Sequence, residues 1–273
     1  MRHPAGLHTR ELLTDDAVAL TLAKAAGVHG IYVLNALARD DGVGFLLALH
    51  GEDVGLCWFG SRGNLVILGA ESLSPADVEA VADAVQISLH PWRIAMGPTA
   101  IVNALRERVA GKPLLLRDQV YYVGTAKIAT QALVDDSVRT AGREDRDRLL
   151  QATLQLNSSD LNIDEARVDR RWLRDTIDER IASGSTRALG PVGGLRCKLD
   201  FGSDGPGGLV LEGVFTFPEH RGAGLASRLV ATCLHRAPAT VCLHVGMHNA
   251  PARAAYERAG LTLAGRCRLL LLA

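Results

Sequence analysis

The sequence predicts an α/β fold built from two domains, and three observations support this. The chain has 273 residues, which exceeds the common size of a single domain. Its hydrophobic fraction of 48% can supply more than one core. The run Gly208–Phe215 is apolar and β-branched, as in a buried strand, and after a short turn it is followed by apolar residues at helical spacing.

Charge and cysteine content restrict the classes of function. The chain has 30 Lys and Arg against 30 Asp and Glu, so no basic excess indicates a nucleic-acid partner. The N-terminus lacks the apolar core of a signal peptide and no run reaches membrane-spanning length, so we expect no membrane partner. Five scattered cysteines, an odd number, indicate reduced thiols in a cytoplasmic protein, and their spacing predicts no metal site.

The turn between that strand and the next helix contains two glycines, Gly222 and Gly224. Glycines let the backbone approach a ligand closely, and the N–H groups of a helix's first turn attract phosphate. The alternative is a tight strand-to-helix connection whose glycines serve packing alone. The apolar face of the helix consists of Leu225, Leu229, Val230, Cys233 and Leu234.

The following segment predicts one more strand and one more helix. Val241–Gly246 alternates in the manner of a strand. Asn249 is a favourable N-cap, Pro251 falls in the first turn, and Gly260 is a natural C-cap. The helix carries Tyr256 seven residues after Asn249.

These features together resemble the GNAT superfamily of N-acetyltransferases, over about residues 143–273. The Arg-x-x-Gly-x-Ala pattern of residues 221–226 resembles its pyrophosphate loop, and Asn249 and Tyr256 match its later motif in the correct order. The resemblance, to the bacterial two-domain type, implies a mixed central sheet with splayed strands and acetyl-CoA as co-substrate. It implies no metal.

The resemblance also implies roles for individual residues. The backbone of Val214, Phe215 and Thr216 would bind the acetyl carbonyl and the pantetheine arm, and Tyr256 would protonate the departing thiolate. For Tyr256 the alternative is a core aromatic at the helix–sheet interface. The remaining expected cofactor-binding residues are Arg221, Gly222, Ala223, Gly224, Leu225, Ala226, Ser227 and Asn249.

The general base has two candidates. Glu212 lies in the apolar strand two residues before Val214, where burial would raise the pKa of its carboxyl. His244 lies on the next strand and has a suitable ordinary pKa. Ordered water is the third possibility. Cys242 as an acyl-carrying nucleophile is set aside, because no base is paired with it in the sequence.

The predicted element order of the first half resembles that of the second. We therefore expect a degenerate GNAT-like domain at residues 1–130 and a catalytic domain at 140–273, with the boundary within Gly124–Arg143. The first half has no phosphate loop, so it is not expected to bind coenzyme A in the usual way. Its predicted helices are Thr9–Ala26, Pro75–Val85 and Thr99–Val109, and its predicted strands are Gly44–His50, Val54–Phe59, Leu65–Leu68, Arg93–Met96 and Leu114–Val123.

The resemblance thus predicts acetyl transfer from acetyl-CoA to a primary amine of a small molecule or peptide. Two alternatives remain: a non-catalytic acyl-CoA sensor, and a transferase of a longer acyl group. The sequence is compatible with a monomer or a homodimer.

Overall fold

The computed structural model describes residues 7–12, 16–69 and 72–273, and the chain divides into two compact units. Unit 1 comprises the chain up to Val120 with Gly205–Gly207 and Gly265–Ala273. Unit 2 comprises Tyr121–Asp204 and Gly208–Ala264. The end of the chain therefore belongs to the unit formed mainly by its beginning.

Each half of the chain contributes six strands and four helices in the described residues. The first half contains β1 (Leu7–Glu11), α1 (Ala17–Ala25), α2 (Ile31–Arg39), β2 (Val43–Leu49), β3 (Glu52–Phe59), β4 (Asn64–Gly69), α3 (Pro75–Ile87), β5 (Ile94–Gly97), α4 (Thr99–Arg108) and β6 (Leu115–Gly124). The second contains β7 (Arg139–Thr140), α5 (Arg146–Leu161), α6 (Arg170–Ala182), β8 (Thr186–Leu189), β9 (Cys197–Gly205), β10 (Gly208–Thr216), α7 (Leu225–Arg236), β11 (Val241–Gly246), α8 (Ala250–Ala259) and β12 (Thr262–Leu271). The order of strands and helices is the same in both halves.

The strand order within each unit also repeats. In unit 1 it is β1-β2-β3-β4-β5-β12, and in unit 2 it is β7-β8-β9-β10-β11-β6. Strand β12 pairs antiparallel with β5, with Arg268 opposite Gly97. The last strand of the chain thus completes the sheet of unit 1, while β6 supplies its final four residues, Tyr121–Gly124, to unit 2.

Helices cover both faces of the sheet in unit 1. Neighbouring residues on β4 point to opposite faces, so Val66 packs with residues of α1 and α2, whereas Ile67 packs with residues of α3 and α4. A strand buried on both faces has the nearly continuous apolar sequence seen at Leu65–Leu68.

Two predicted elements are wrong in part. The helix predicted at Thr9–Ala26 includes β1, which pairs antiparallel with β2, and α1 begins only at Ala17 after its N-cap Asp16. Residues 13–15 of that prediction lie outside the described residues. In addition, α2 has no counterpart among the elements predicted from the sequence.

The second error concerns residues 157–162, where the polar run Asn-Ser-Ser-Asp-Leu-Asn predicts a loop between two helices. Helix α5 continues through Leu161, and Asn162 then ends it in the left-handed conformation, with φ of 56°. Asparagine tolerates this conformation better than most residues, which explains its place one residue after the helix.

A buried ion pair fixes the start of α5. Asp145 is fully buried, and both of its carboxylate oxygens accept hydrogen bonds from Arg139, at 2.6 and 2.8 Å. The backbone N–H groups of Gly142 and Gly193 donate to the same carboxylate at 3.0 Å. Burial acts to raise the pKa of the Asp145 carboxyl, but these hydrogen bonds hold it below its ordinary value.

We predict that Asp145→Asn lowers the free energy of unfolding by about 3 kcal/mol, because the partly buried Arg139 would lose the buried carboxylate that neutralises it. Because the folded-state pKa of Asp145 is lowered, its contribution to stability is present above the ordinary value of 3.8 and lost as pH falls further. Urea unfolding at several pH values measures both effects. The exposed pair Arg146–Asp178, also joined by two bonds of 2.6 Å, supplies the control. A destabilisation by Asp178→Asn as large as that by Asp145→Asn would contradict the assignment.

Candidate functional site

The turn before α7 has an open backbone. Gly222 and Gly224 have φ values of 80° and 70°, a region that glycine adopts without strain. No described heavy atom lies within 4 Å of the position that a Cβ would take at either glycine. Helix α7 begins at Leu225, and no side chain caps it. Its first N–H groups are therefore available to an anion.

The side chains around this turn differ in exposure. Arg221 and Ala223 are exposed, and Arg221 Nε donates to the carbonyl of Thr216 at 3.1 Å. Leu225 is buried. Ser227 is buried as well, and its hydroxyl accepts from Arg258 Nε at 3.4 Å. Residues 225–227 can therefore contribute backbone N–H groups, whereas the Leu225 and Ser227 side chains pack inward.

Strand β10 separates from β11 soon after the two begin to pair. They are parallel, and the described pairing covers Leu209 with Val241 and Val210 with Cys242. Further along β10, Gly213 has φ of 58°, which interrupts the regular strand. The backbone of residues 214–216 follows this interruption.

Helix α8 has the predicted ends. Asn249 Oδ1 accepts from the N–H of Ala252 at 3.2 Å, so Asn249 is the N-cap. Gly260 ends the helix with φ of 107°, and a Cβ there would collide with the carbonyl oxygen of Ile128. These caps fix the direction of α8 and thereby the position of Tyr256.

Tyr256 is almost completely buried, with 6% of its surface exposed. Its ring meets that of Tyr122 edge to face, with centroids 6.0 Å apart. Burial raises the pKa of the Tyr256 hydroxyl, with Asp160 and Cys197 adding to the effect. The hydroxyl therefore keeps its proton at neutral pH.

The neighbouring Tyr122 has partners of its own. Its hydroxyl donates to Glu257 Oε1 at 2.6 Å and accepts from Arg253 Nε at 3.2 Å. Tyr122 is thus tied into an ionic cluster on α8. Of these two tyrosines, only Tyr122 has its hydroxyl bonded to Glu257 and Arg253.

The sequence favours Glu212 as a base if burial raises the pKa of its carboxyl, but the structure does not bury this side chain. Its side chain is 44% exposed, and Oε1 accepts from Arg180 Nη2 at 2.7 Å. The other Nη of Arg180 lies 2.5 Å from Asp200 Oδ2. The candidate base is therefore held in a defined position by an ion pair.

This ion pair belongs to a buried network that the sequence analysis missed. Lys198 and Asp200 are buried and paired with each other, and Thr186 Oγ1 donates to Asp200 Oδ1 at 2.7 Å. A Cβ at Gly213 would lie 2.7 Å from Asp200 Oδ2 and 2.9 Å from Lys198 Nζ. The sequence signal for this network was the presence of two charged residues, Lys198 and Asp200, on one face of the apolar start of β9.

His244, the other candidate base, has different surroundings. Its ring centroid lies 5.6 Å from that of Tyr121 on β6, and the residue is partly buried in β11. Glu212 instead pairs with Arg180 of α6. Glu212 thus lies on β10 and faces α6, whereas His244 lies on β11 and faces β6.

The remaining candidate chemistry is restricted by burial. Cys242 is buried, which raises the pKa of its thiol to about 12 and disfavours the nucleophilic thiolate. Within the described ranges, no group of His, Cys, Asp and Glu side chains is arranged to hold a metal ion. No helix in the same ranges has both the length and the apolar character to cross a membrane.

An uncapped helix start after a glycine turn, beside diverging parallel strands, has the geometry to bind an anionic, extended ligand. Comparison with known proteins identifies the class, because residues 149–261 match the acetyltransferase (GNAT) family. Residues 149–261 thus form a domain of this family. Family membership implies acyl transfer from an acyl-CoA donor. No curated protein sequence matches the chain.

Solved structures show that the fold extends over nearly the whole chain. A GCN5-related N-acetyltransferase from Sphaerobacter thermophilus superposes with a TM-score of 0.56 at 16% identity, covering 98% of this chain and 95% of its own. A GNAT-family acetyltransferase from Colwellia psychrerythraea gives 0.51 at 16%, covering 97% and 100%. A Drosophila protein gives 0.65 at 12%, covering 97% and 98%. At these identities the likeness concerns the fold alone.

We predict that Gly222→Val and Gly224→Val each abolish stabilisation by acetyl-CoA, because the new side chain would enter the open space before α7. For the unmodified protein, a ligand at a hundred times its Kd adds about 2.7 kcal/mol. Thermal unfolding with and without acetyl-CoA measures the shift.

Gly111→Val is the matched control. Gly111 also has a positive φ, 77°, with no described atom within 4 Å of its Cβ position, but it lies before β6. It should carry the same backbone strain and retain the shift. If the shift survives in both loop variants, the assignment of the loop is wrong.

Proposed function

We propose that the protein is an acetyl-CoA-dependent N-acetyltransferase that moves an acetyl group directly to a primary amine. The observation that carries the proposal is the start of α7, which combines two positive-φ glycines with uncapped N–H groups. The separation of β10 from β11 and the buried hydroxyl of Tyr256 support it.

The donor would bind along β10. Its pyrophosphate occupies the turn at residues 221–224, where backbone N–H groups and the positive end of the α7 dipole favour negative charge. The pantetheine arm enters the gap between β10 and β11 and bonds to the backbone at Val214–Thr216. Asn249, which caps α8, bonds the arm from the other side of the gap.

The reaction requires three events. The amine nitrogen forms a bond to the thioester carbonyl carbon, and the carbonyl oxygen becomes an oxyanion that accepts from the β10 backbone. An N–H group aimed at such an oxygen contributes about 10²–10³ in rate. The carbon–sulfur bond then breaks, and the thiolate takes the proton of the Tyr256 hydroxyl. Simultaneous binding of donor and amine adds a proximity effect.

The amine must lose a proton before or during attack. Glu212, held by Arg180, is our first candidate to accept it, directly or through one water. His244 is the alternative acceptor. Coenzyme A leaves with the proton from Tyr256, and solvent restores that proton for the next turnover.

The direct test is acetyl transfer to a panel of amines. Release of free thiol from acetyl-CoA, with a mass gain of one acetyl group on an amine, supports the proposal. Binding without turnover on any amine would favour an acyl-CoA sensor. Competition by longer acyl thioesters tests the acyl-chain preference.

Calorimetry should show one acetyl-CoA per chain, bound through the second half. Helix α7 combines two positive-φ glycines with an uncapped start, whereas Ser74 caps α3, the corresponding helix of the first half. Two equivalents per chain would contradict this division between residues 1–130 and 140–273.

We predict that Tyr256→Phe lowers kcat about 100-fold while acetyl-CoA binding stays nearly unchanged. The ring is preserved, so only the proton donor is lost. Tyr122→Phe is the control, because it removes a neighbouring hydroxyl that is bonded to Glu257. Equal losses in the two variants would indicate a packing effect instead of proton donation.

The base is identified by a second pair of variants. We expect Glu212→Gln to lower kcat by at least about 100-fold and His244→Gln to change it only a few fold. The reverse pattern would assign the role to His244, and no loss in either variant would assign it to water.

A further inference from the structure

Unit 1 contains a cavity of about 490 Å³ at the end of its parallel strands. Leu68 and Gly69 at the end of β4 and Gly97 at the end of β5 form one wall. Leu22 of α1 and the turn at His29 form the opposite wall. This volume is within the range of about 300–1,000 Å³ typical of small-molecule sites.

The cavity corresponds in topology to the proposed donor gap of unit 2. Strands β4 and β5 are parallel, and their pairing ends with Val66 opposite Met96. The cavity lies beyond that pair, where β4 has turned away at Gly69, with φ of 70°. Both units thus open between the strands that precede and follow the third helix of each half of the chain.

The helix start beside this cavity does not suit a diphosphate. Ser74 Oγ accepts from the N–H of Asp77 at 3.3 Å and donates to Asp77 Oδ2 at 2.6 Å. Pro75, the first residue of α3, has no N–H group. The Ser74 side chain occupies an N–H group of the first turn, Pro75 lacks an N–H group, and the Asp77 carboxylate repels an anion. A diphosphate is therefore disfavoured at this helix start, and we expect a ligand of the cavity to lack one.

The lining indicates an apolar ligand with one negative end. Most lining residues are apolar, among them Leu22, Leu68 and Pro98. The charged lining residue is Arg266, which is exposed at the start of the β12 segment assigned to unit 1. An apolar chain gains free energy by burial, and a guanidinium binds a carboxylate well.

We infer that this cavity binds a medium-chain carboxylic acid, with its chain against Leu22 and Leu68 and its carboxylate at Arg266. The site is separate from the proposed donor site and takes a ligand without a nucleotide. The first half of the chain thereby acquires a binding function of its own.

The test titrates the full chain with decanoate by calorimetry, with coenzyme A in excess to fill the proposed donor site and again without it. Ala25→Trp places an indole at the cavity from α1, whereas Ala17→Trp adds the same group on α1 outside the cavity. Arg266→Gln removes the charge at an exposed position. Decanol serves as the uncharged probe.

We expect one decanoate per chain in both conditions, lost in Ala25→Trp and retained in Ala17→Trp. Arg266→Gln should weaken decanoate binding about tenfold and leave decanol unaffected. Displacement of decanoate by coenzyme A would place it in unit 2 and overturn the inference. Decanoate binding that is unchanged in Ala25→Trp and Arg266→Gln would also overturn it. The titration without coenzyme A keeps this result independent of the proposed acetyl transfer.

Discussion

Parallel strands that separate after a short paired segment leave backbone N–H and C=O groups facing a gap, and these groups need partners. In unit 2, β10 and β11 separate after the pair Val210–Cys242. An extended ligand with amide groups can supply the missing hydrogen bonds, as another strand would. In the proposed function, the open start of α7 and Tyr256 on α8 act on a ligand that lies in this gap.

The two halves of the chain show how few residues decide what such a gap can bind. Both contain the same order of strands and helices and a parallel pair of limited length. At the start of α3, Ser74 and Asp77 satisfy the helix from within the chain. At the start of α7, Gly224 offers no side chain. Under the proposed function, phosphate binding therefore depends on the first turn of one helix and not on the fold alone.

Local signals made much of the second half predictable from the sequence. Strand β11 has the predicted bounds Val241–Gly246, and α8 has the predicted caps Asn249 and Gly260, because alternation and capping are properties of neighbouring residues. Local signals could not predict strand β1 or place residues 265–273 in unit 1, because both depend on contacts with residues far away in the sequence. The pairing of Glu212 with Arg180 could not be predicted either, because the two residues are 32 positions apart in the sequence.

The buried charges beside β10 connect this long-range pairing to the site. Strand β9 is the other neighbour of β10, and its Lys198 and Asp200 lie where a side chain at Gly213 would have to go. Glycine is therefore required there both for its φ of 58° and for the space. Because Arg180 bonds to both Asp200 and Glu212, the same network that accommodates the interrupted backbone also holds the candidate base. The shape of the strand and the position of its carboxylate thus have a common physical origin.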